Sequence, residues 1–452
     1  MGKNRTTLGR IAAIGGPLLV SQMSQYVMSV ADTAMVGRLG AAALAAISIG
    51  ATTSWLLFVF AWPVSVGVQA VAARRFGRNE SGGADARIMP LSPVLGAGLI
   101  YTGLAASAAL LLSLAARPAY GVVLQDPAVA EGAASYLDYV RWAVPLIGLG
   151  GCVQGFMNAM RRTRAVMAIT VAANGLNVVL NWVFIFGRLG LPAMGLAGAG
   201  LATLVSQMVQ AAALWLLVAL DPALGDFRDE TFRPDGPLVR LVARLSLPVA
   251  IQNGLALFIF LSFDAIVENI GAVYLAVTQI VFSFYRINKT IVGGFARGAG
   301  ILAGNLLGAG SSGEARRILR VQQGLGLAIG LAVMSLVLAL PGPLVRIFSS
   351  DPEIVALGVR ALRFFAGFYL IEISAFSLEI VFQAVGWSRY VLFSEFSTNV
   401  VFILGATLLF TLAFGWGIWG AWLGFALYQL GHALILAFGW LSGRWYRAEV
   451  KD

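Results

Sequence analysis

Asp32 sits in VADTAMVGRLG (30–40), near the far end of an apolar run that opens at Ile11. An aspartate near the centre of a membrane helix costs about 2.5–3.5 kcal/mol on insertion scales, so a carboxylate kept there needs a compensating role. Other apolar runs carry Asn177 and Asn181, one turn apart on one helix face, and Thr203 and Gln207, spaced the same way. A carboxylate, amide oxygens and a hydroxyl form a hard oxygen set, suited to Na⁺ or to a proton relay and unsuited to a soft metal. Held in apolar protein, the carboxylate can take up a proton, lose its charge and turn from hydrogen-bond acceptor to donor. Pro17, about four turns before Asp32, gives the same helix a place to bend. Ion binding at Asp32 is therefore expected to alter that helix.

The second half of the chain holds a different set: Asp264 and Glu268, Arg286 and Lys289, Glu372 and Glu379. Charges inside a membrane either pair with one another or mark a pathway. Four acids against two bases leave a negative balance suited to a cationic guest, and Glu372 and Glu379, two turns apart on one face, are placed to line a cavity. His432, the sole histidine, is expected in packing or interhelical bonding. Trp416, Trp419 and Trp422 are expected as interface anchors. GAGILAGNLLGAG (298–310) lacks the GK[ST] ending of a phosphate loop and reads as close helix packing. With no HExxH, CxxC or nucleophile-elbow pattern, neither an enzyme nor a bound cofactor beyond H⁺ or Na⁺ is expected.

The elements that must hold these residues are long apolar runs. Of 452 residues, 59% are hydrophobic and 12% charged, and the mean hydropathy is +0.83; a soluble domain carries roughly 25% charge. Runs of about 20 apolar residues match a hydrocarbon core of about 30 Å, and their uniform apolarity excludes the alternating strands of a barrel. Twelve spans are expected at 11–36, 44–72, 93–116, 136–160, 166–187, 193–219, 240–268, 273–303, 316–340, 361–384, 390–414 and 418–441. The first is too long for a signal-peptide core and is read as retained. The net charge of +10 marks cytoplasmic loops rather than nucleic-acid binding: clusters such as Arg74, Arg75 and Arg78, or Arg161, Arg162 and Arg164, fall in alternate connections, which places both termini in the cytoplasm of a prokaryotic inner-membrane protein. Cys152 is alone, so no intramolecular disulfide forms.

The polar stretch 221–239 is expected to link two six-span lobes, 1–220 and 240–452. The lobes resemble each other at a shift of about 225–232 residues: GGPLLVSQ (15–22) answers to SLPVAIQN (246–253), aligning Pro17 with Pro248, and Asp32 aligns with Asp264. Six spans per lobe make the lobes parallel repeats around a central cavity. The positions matching Asn177, Asn181 and Thr203 are about Phe402, Ala406 and Phe425, so the scaffold is duplicated and the polar cluster is not.

DTAMVGRLG (32–40), MNAMRRTRAVM (157–167), the stretch 174–207 and GNLLGAGSSGEARR (304–317) resemble the multidrug and toxic compound extrusion (MATE) family over essentially the whole chain. Within it, the acid in the first span and the lack of one in GLALFIF (254–260) are more similar to the DinF-like branch than to the NorM-like one. The resemblance implies export of amphipathic, often cationic, compounds in exchange for H⁺ or Na⁺, with a coupling site on the first, fifth and sixth spans. The alternative within the same superfamily is a lipid-linked oligosaccharide or lipid flippase. A monomer in the bilayer suffices for either.

Overall fold

The computed structural model describes residues 6–82, 89–221 and 235–447, and among them every regular element is a helix. The first half runs α1 (Thr7–Gly37), α2 (Ala41–Ala61), α3 (Val64–Ser81), α4 (Ser92–Ser113), α5 (Ala116–Val123), α6 (Pro127–Val140), α7 (Ala143–Ala159), α8 (Thr163–Phe186) and α9 (Gly195–Leu220). The second runs α10 (Gly236–Ile270), α11 (Ala272–Gly308), α12 (Ser312–Ala339), α13 (Pro341–Arg346), α14 (Pro352–Ala384), α15 (Ser388–Thr398), α16 (Gly417–Leu441) and α17 (Arg444–Arg447). Between α15 and α16 the helix widens into π geometry over Asn399–Ala406 and Leu409–Ala413.

Each expected span is found as helix, though several are divided. Ten stretches among the described residues are long and apolar enough to cross a membrane, and the pair α6–α7, bent by 45°, makes an eleventh. α1, with 31 residues, is long enough, but Ser21, Gln22, Ser24, Gln25 and Asp32 dilute its apolarity. The breaks have local causes. Pro63 caps α3, and its missing N–H and fixed ring end the ladder of α2 at Ala61. Pro145 falls in the first turn of α7, where its absent N–H has no intrahelical partner to lose, so α6 stops before it. Large exposed apolar residues, such as Leu104, Leu111, Phe258, Leu412 and Phe438, supply the lipid-facing surface.

The described residues pack into two compact units, one of residues up to Leu19 together with those from Ile251 onward, the other of Val20–Ala250. Their boundaries differ from the midpoint of the sequence, and most of the expected linker (221–239) lies outside the described residues. Two helices change unit along their length, each near its proline. Ile11, Ile14 and Leu18 of α1 pack with Ile301 and Leu302 of α11 and with Leu378 and Phe382 of α14, while Leu238, Leu241, Val242 and Leu245 of α10 pack with Val68, Val153, Phe156 and Leu214. Pro17 and Pro248 lie inside these helices without ending them.

Close approach explains the small residues. A Cβ on Gly15 would lie 2.8 Å from Phe295 Cα, and one on Gly298 would lie 2.6 Å from Gly15 N, so α1 and α11 meet backbone to backbone. In the glycine-rich 298–310 run, Gly298 and Gly300 are thus packing positions, while Gly310 (φ +74°) meets nothing within 4 Å and turns the chain after α11. Tighter still, a Cβ on Gly155 of α7 would fall 2.2 Å from the Ser65 carbonyl oxygen of α3. Gly155→Ala is expected to push these helices apart at a cost of about 1–3 kcal/mol, read as a lower unfolding temperature of the detergent-solubilised protein; Gly175→Ala, where a Cβ meets nothing within 4 Å, serves as the silent control.

Candidate functional site

Three asparagines at 174, 177 and 181 repeat at helical spacing on one face of α8, and all are buried. Asn174 Nδ2 donates to Ser24 Oγ of α1 at 2.7 Å, and Asn181 Nδ2 donates to Asp32 Oδ1 at 2.5 Å. The rungs lie two turns apart on both helices, so α1 and α8 run parallel here, held by side-chain bonds on a shared line. Asn181 Nδ2 also donates to Asn177 Oδ1 at 3.1 Å, Asn177 Nδ2 to Ser206 Oγ of α9 at 3.2 Å, and Ser206 Oγ to the Thr203 carbonyl at 2.9 Å. The bonds form a relay that diverges from the Asn181 amide, one arm ending on Asp32 as acceptor and the other passing through Asn177 and Ser206 to the Thr203 carbonyl. Asn181 Oδ1 is buried with no hydrogen-bond partner, an unused acceptor on the very amide that grips the carboxylate.

The structure thus brings Asp32, Asn177 and Asn181 together and sets Thr203 beside them. The Thr203 hydroxyl donates to Ala199 O at 3.1 Å, and the phenol of Tyr136 of α6 lies beside it, within electrostatic reach of Asp32. Gln207, half-buried one turn below, is not among the partners of this relay; Ser206 holds that place. Sequence reasoning missed Ser24, Asn174, Ser206 and Tyr136. The spacing of Asn174 from Asn177 and Asn181 was a signal for one of them; Tyr136 gave none, since only packing carries α6 to this point.

The six charged residues proposed as one cavity lining fall into two groups. Asp264 accepts from Gln279 Nε2 at 3.0 Å on both oxygens, Arg286 bonds Ser283 Oγ at 3.2 Å, and Glu268 is exposed. Deeper in the same unit, Lys289 pairs with Glu372, and Glu379 accepts from Gln252 at 2.7 Å and from Gln383 at 3.3 Å. His432 is drawn into this second group, as is Glu395 of α15, which sequence reasoning passed over. Asp264, the counterpart of Asp32, thus binds a glutamine of the following helix rather than an asparagine relay.

A bundle of long apolar helices, repeated in sequence and keeping carboxylates and amides bonded in its interior, defines a polytopic membrane protein of the kind that moves solutes. The MatE family profile matches residues 17–183 and 248–408, two segments that begin on Pro17 and Pro248, and the chain belongs to that family of transporters. It is 30% identical to the probable multidrug resistance protein NorM of Pseudomonas aeruginosa, over 97% of this chain and 90% of the relative, and 29% identical to the NorM of Pseudomonas putida, over 96% and 94%. Among solved structures it is similar to a MATE in the bent conformation (TM-score 0.84, 21% identity, 97% of this chain and 95% of the other). It is also similar to an outward-facing multidrug resistance MATE transporter of the MOP superfamily (TM-score 0.82, 22% identity, 99% and 97%). These relatives carry the NorM name, and the structural likeness concerns the fold.

Proposed function

We propose that the chain is a secondary-active exporter of amphipathic, cationic small molecules, exchanging them for H⁺ or Na⁺ by alternating access, with Asp32 as the coupling group. The observation that carries this reading is the relay from Asp32 through Asn181 and Asn177 to Ser206. It joins α1, α8 and α9, and the positions matching its two asparagines in the other half are about Phe402 and Ala406. Glue common to both repeats would be expected in both. The likeness to the DinF-like branch supports the same placement on the first helix, although the relatives above carry the NorM name.

The chemistry follows from the bonds. A charged Asp32 accepts the Asn181 N–H. A protonated Asp32 becomes a donor, and the unused Asn181 Oδ1 is the acceptor it would turn to; the amide must then rotate, which breaks its bond to Asn177. A sodium ion would instead use Asp32 and Asn181 Oδ1 as ligands, the hard oxygens it prefers. Either event loosens the line holding α1 to α8, and Pro17 lets α1 bend in response. The surplus of acids over bases among Asp264, Glu268, Arg286, Lys289, Glu372 and Glu379 favours a cationic guest over a pyrophosphate-bearing lipid. A monomer with both termini in the cytoplasm of a prokaryotic inner membrane completes the proposal.

The test is export of a fluorescent lipophilic cation from proteoliposomes under a pH gradient or a sodium gradient, each imposed alone. One gradient is expected to drive export and the other to have no effect; export unchanged when both are collapsed would overturn the antiport reading.

A further inference from the structure

Beyond coupled export, the geometry points to a divalent-cation site in the unit that holds α14, α15 and α16, formed by Glu379, Glu395 and His432 and taking a first-row transition metal of the zinc class. One ligand atom from each residue lies within 4.8 Å of the other two. His432 is 2% exposed, its Nε2 lies 3.8 Å from Glu379 Oε2 and 3.7 Å from Glu395 Oε1, and that nitrogen has no hydrogen-bond partner. These separations exceed a hydrogen bond, which closes at about 3.2 Å. They fit an ion: a cation about 2.0–2.2 Å from each of three ligands holds them about 3.3–3.8 Å apart.

The outer contacts are those a metal site needs. His432 Nδ1 lies 3.0 Å from Ser394 Oγ; when it donates there, Nε2 faces the two carboxylates either as a protonated partner or with a free lone pair, and in the second form it is the ligand a cation takes. Gln252 and Gln383 hold Glu379. Asn399 Nδ2 donates to Glu395 Oε2 at 2.5 Å, and the Tyr428 hydroxyl lies 3.3 Å from both Glu395 oxygens. Asn399 opens the π-helical stretch, a widened turn of the sort that recurs at functional positions.

Chemistry selects the ion. An imidazole with two carboxylates is a mixed N/O set that suits zinc and its neighbours, whereas Na⁺ and Ca²⁺ favour oxygen alone. A dication neutralises Glu379 and Glu395. Of the other charges facing the cluster from α11 and α14, Lys289 is engaged with Glu372, and Arg297 lies within electrostatic reach of Glu379. The site shares no residue with the Asp32 relay, so it stands or falls independently of the coupling proposal.

The experiment uses the full-length protein in detergent, stripped by chelator and titrated with Zn²⁺ and, for its spectrum, Co²⁺. One zinc per chain is expected by calorimetry and elemental analysis, with the visible absorption of four- or five-coordinate Co²⁺ and a rise in unfolding temperature on adding zinc. His432→Ala and Glu395→Gln should each weaken binding by at least about tenfold, while Glu353→Gln, an exposed control in the first turn of α14, should not. The wild-type titration does not depend on the variants folding: absence of stoichiometric zinc overturns the site. So does zinc binding untouched by both variants, and so does stabilisation that follows pH alone and ignores zinc.

Discussion

Asp32→Asn is expected to leave the protein folded in the membrane and to abolish ion-driven export. Asparagine has nearly the same shape and keeps a carbonyl oxygen for the Asn181 N–H, so the 2.5 Å contact can persist and the α1–α8 line need not break. What it cannot do is change charge. A tenfold ion gradient supplies about 1.4 kcal/mol per ion, and that free energy reaches the substrate only if some group is occupied on one side and emptied on the other. With Asp32 permanently neutral the gradient has nothing to act on, and gradient-driven export should fall at least about tenfold, to the rate without a gradient. Substrate binding, measured by fluorescence quenching in detergent, should change little. Export at wild-type rate would remove Asp32 from the mechanism. Asn181→Ala provides the companion result, intermediate export, because the carboxylate remains titratable but no longer reports to Asn177 and Ser206.

The second large effect concerns stability. Lys289, with its side chain 31% exposed, pairs with Glu372, whose side chain is 3% exposed, so the carboxylate is the partner that burial penalises. Breaking a buried ion pair by removing one partner costs about 3–5 kcal/mol, chiefly because the other charge is left uncompensated, whereas replacing both partners by apolar residues is often neutral or stabilising. The surroundings make the two single changes unequal. Glu379 and Glu395 also act on Lys289, so Glu372→Met leaves a cation that still faces two carboxylates. Lys289→Met leaves Glu372 within electrostatic reach of Glu395 with its cation gone. Lys289→Met should therefore cost the full 3–5 kcal/mol or so and Glu372→Met distinctly less, with the double variant near wild type. Thermal unfolding followed by tryptophan emission measures the cycle; additive losses in the double variant would show that the pair contributes through packing alone.

The positions of membrane helices were legible because crossing hydrocarbon demands a contiguous run of apolar residues, and such a demand is written along the chain. The breaks were less so. Span 44–72 divides at Pro63 and span 136–160 before Pro145, both of which a reader of proline can find, while the π-helical turns after Thr398 have no comparable mark: their residues are as apolar as any α-helical span. Half of the Asp32 relay was legible for the same reason. Asp32, Asn177 and Asn181 stand out against apolar sequence, and Asn174 was available on the same face. Ser24, Ser206 and Tyr136 were not, since a serine bonds as readily to its own helix as to a neighbour's, and a tyrosine suits almost any interior.

By itself, then, the sequence determined that this protein is a bundle of membrane helices, that its halves repeat, and which costly polar side chains must have partners. Which partners they are was decided by tertiary structure alone. Asp32 and Asp264 occupy matching places in the repeat, yet one meets Asn181 and the other Gln279. His432 and Lys289 likewise find their carboxylates on helices remote in sequence. The physical reason is that desolvation acts on each residue singly and leaves a local signature, whereas hydrogen bonds and ion pairs act between atoms about 3 Å apart, a distance that only the packing of helices sets.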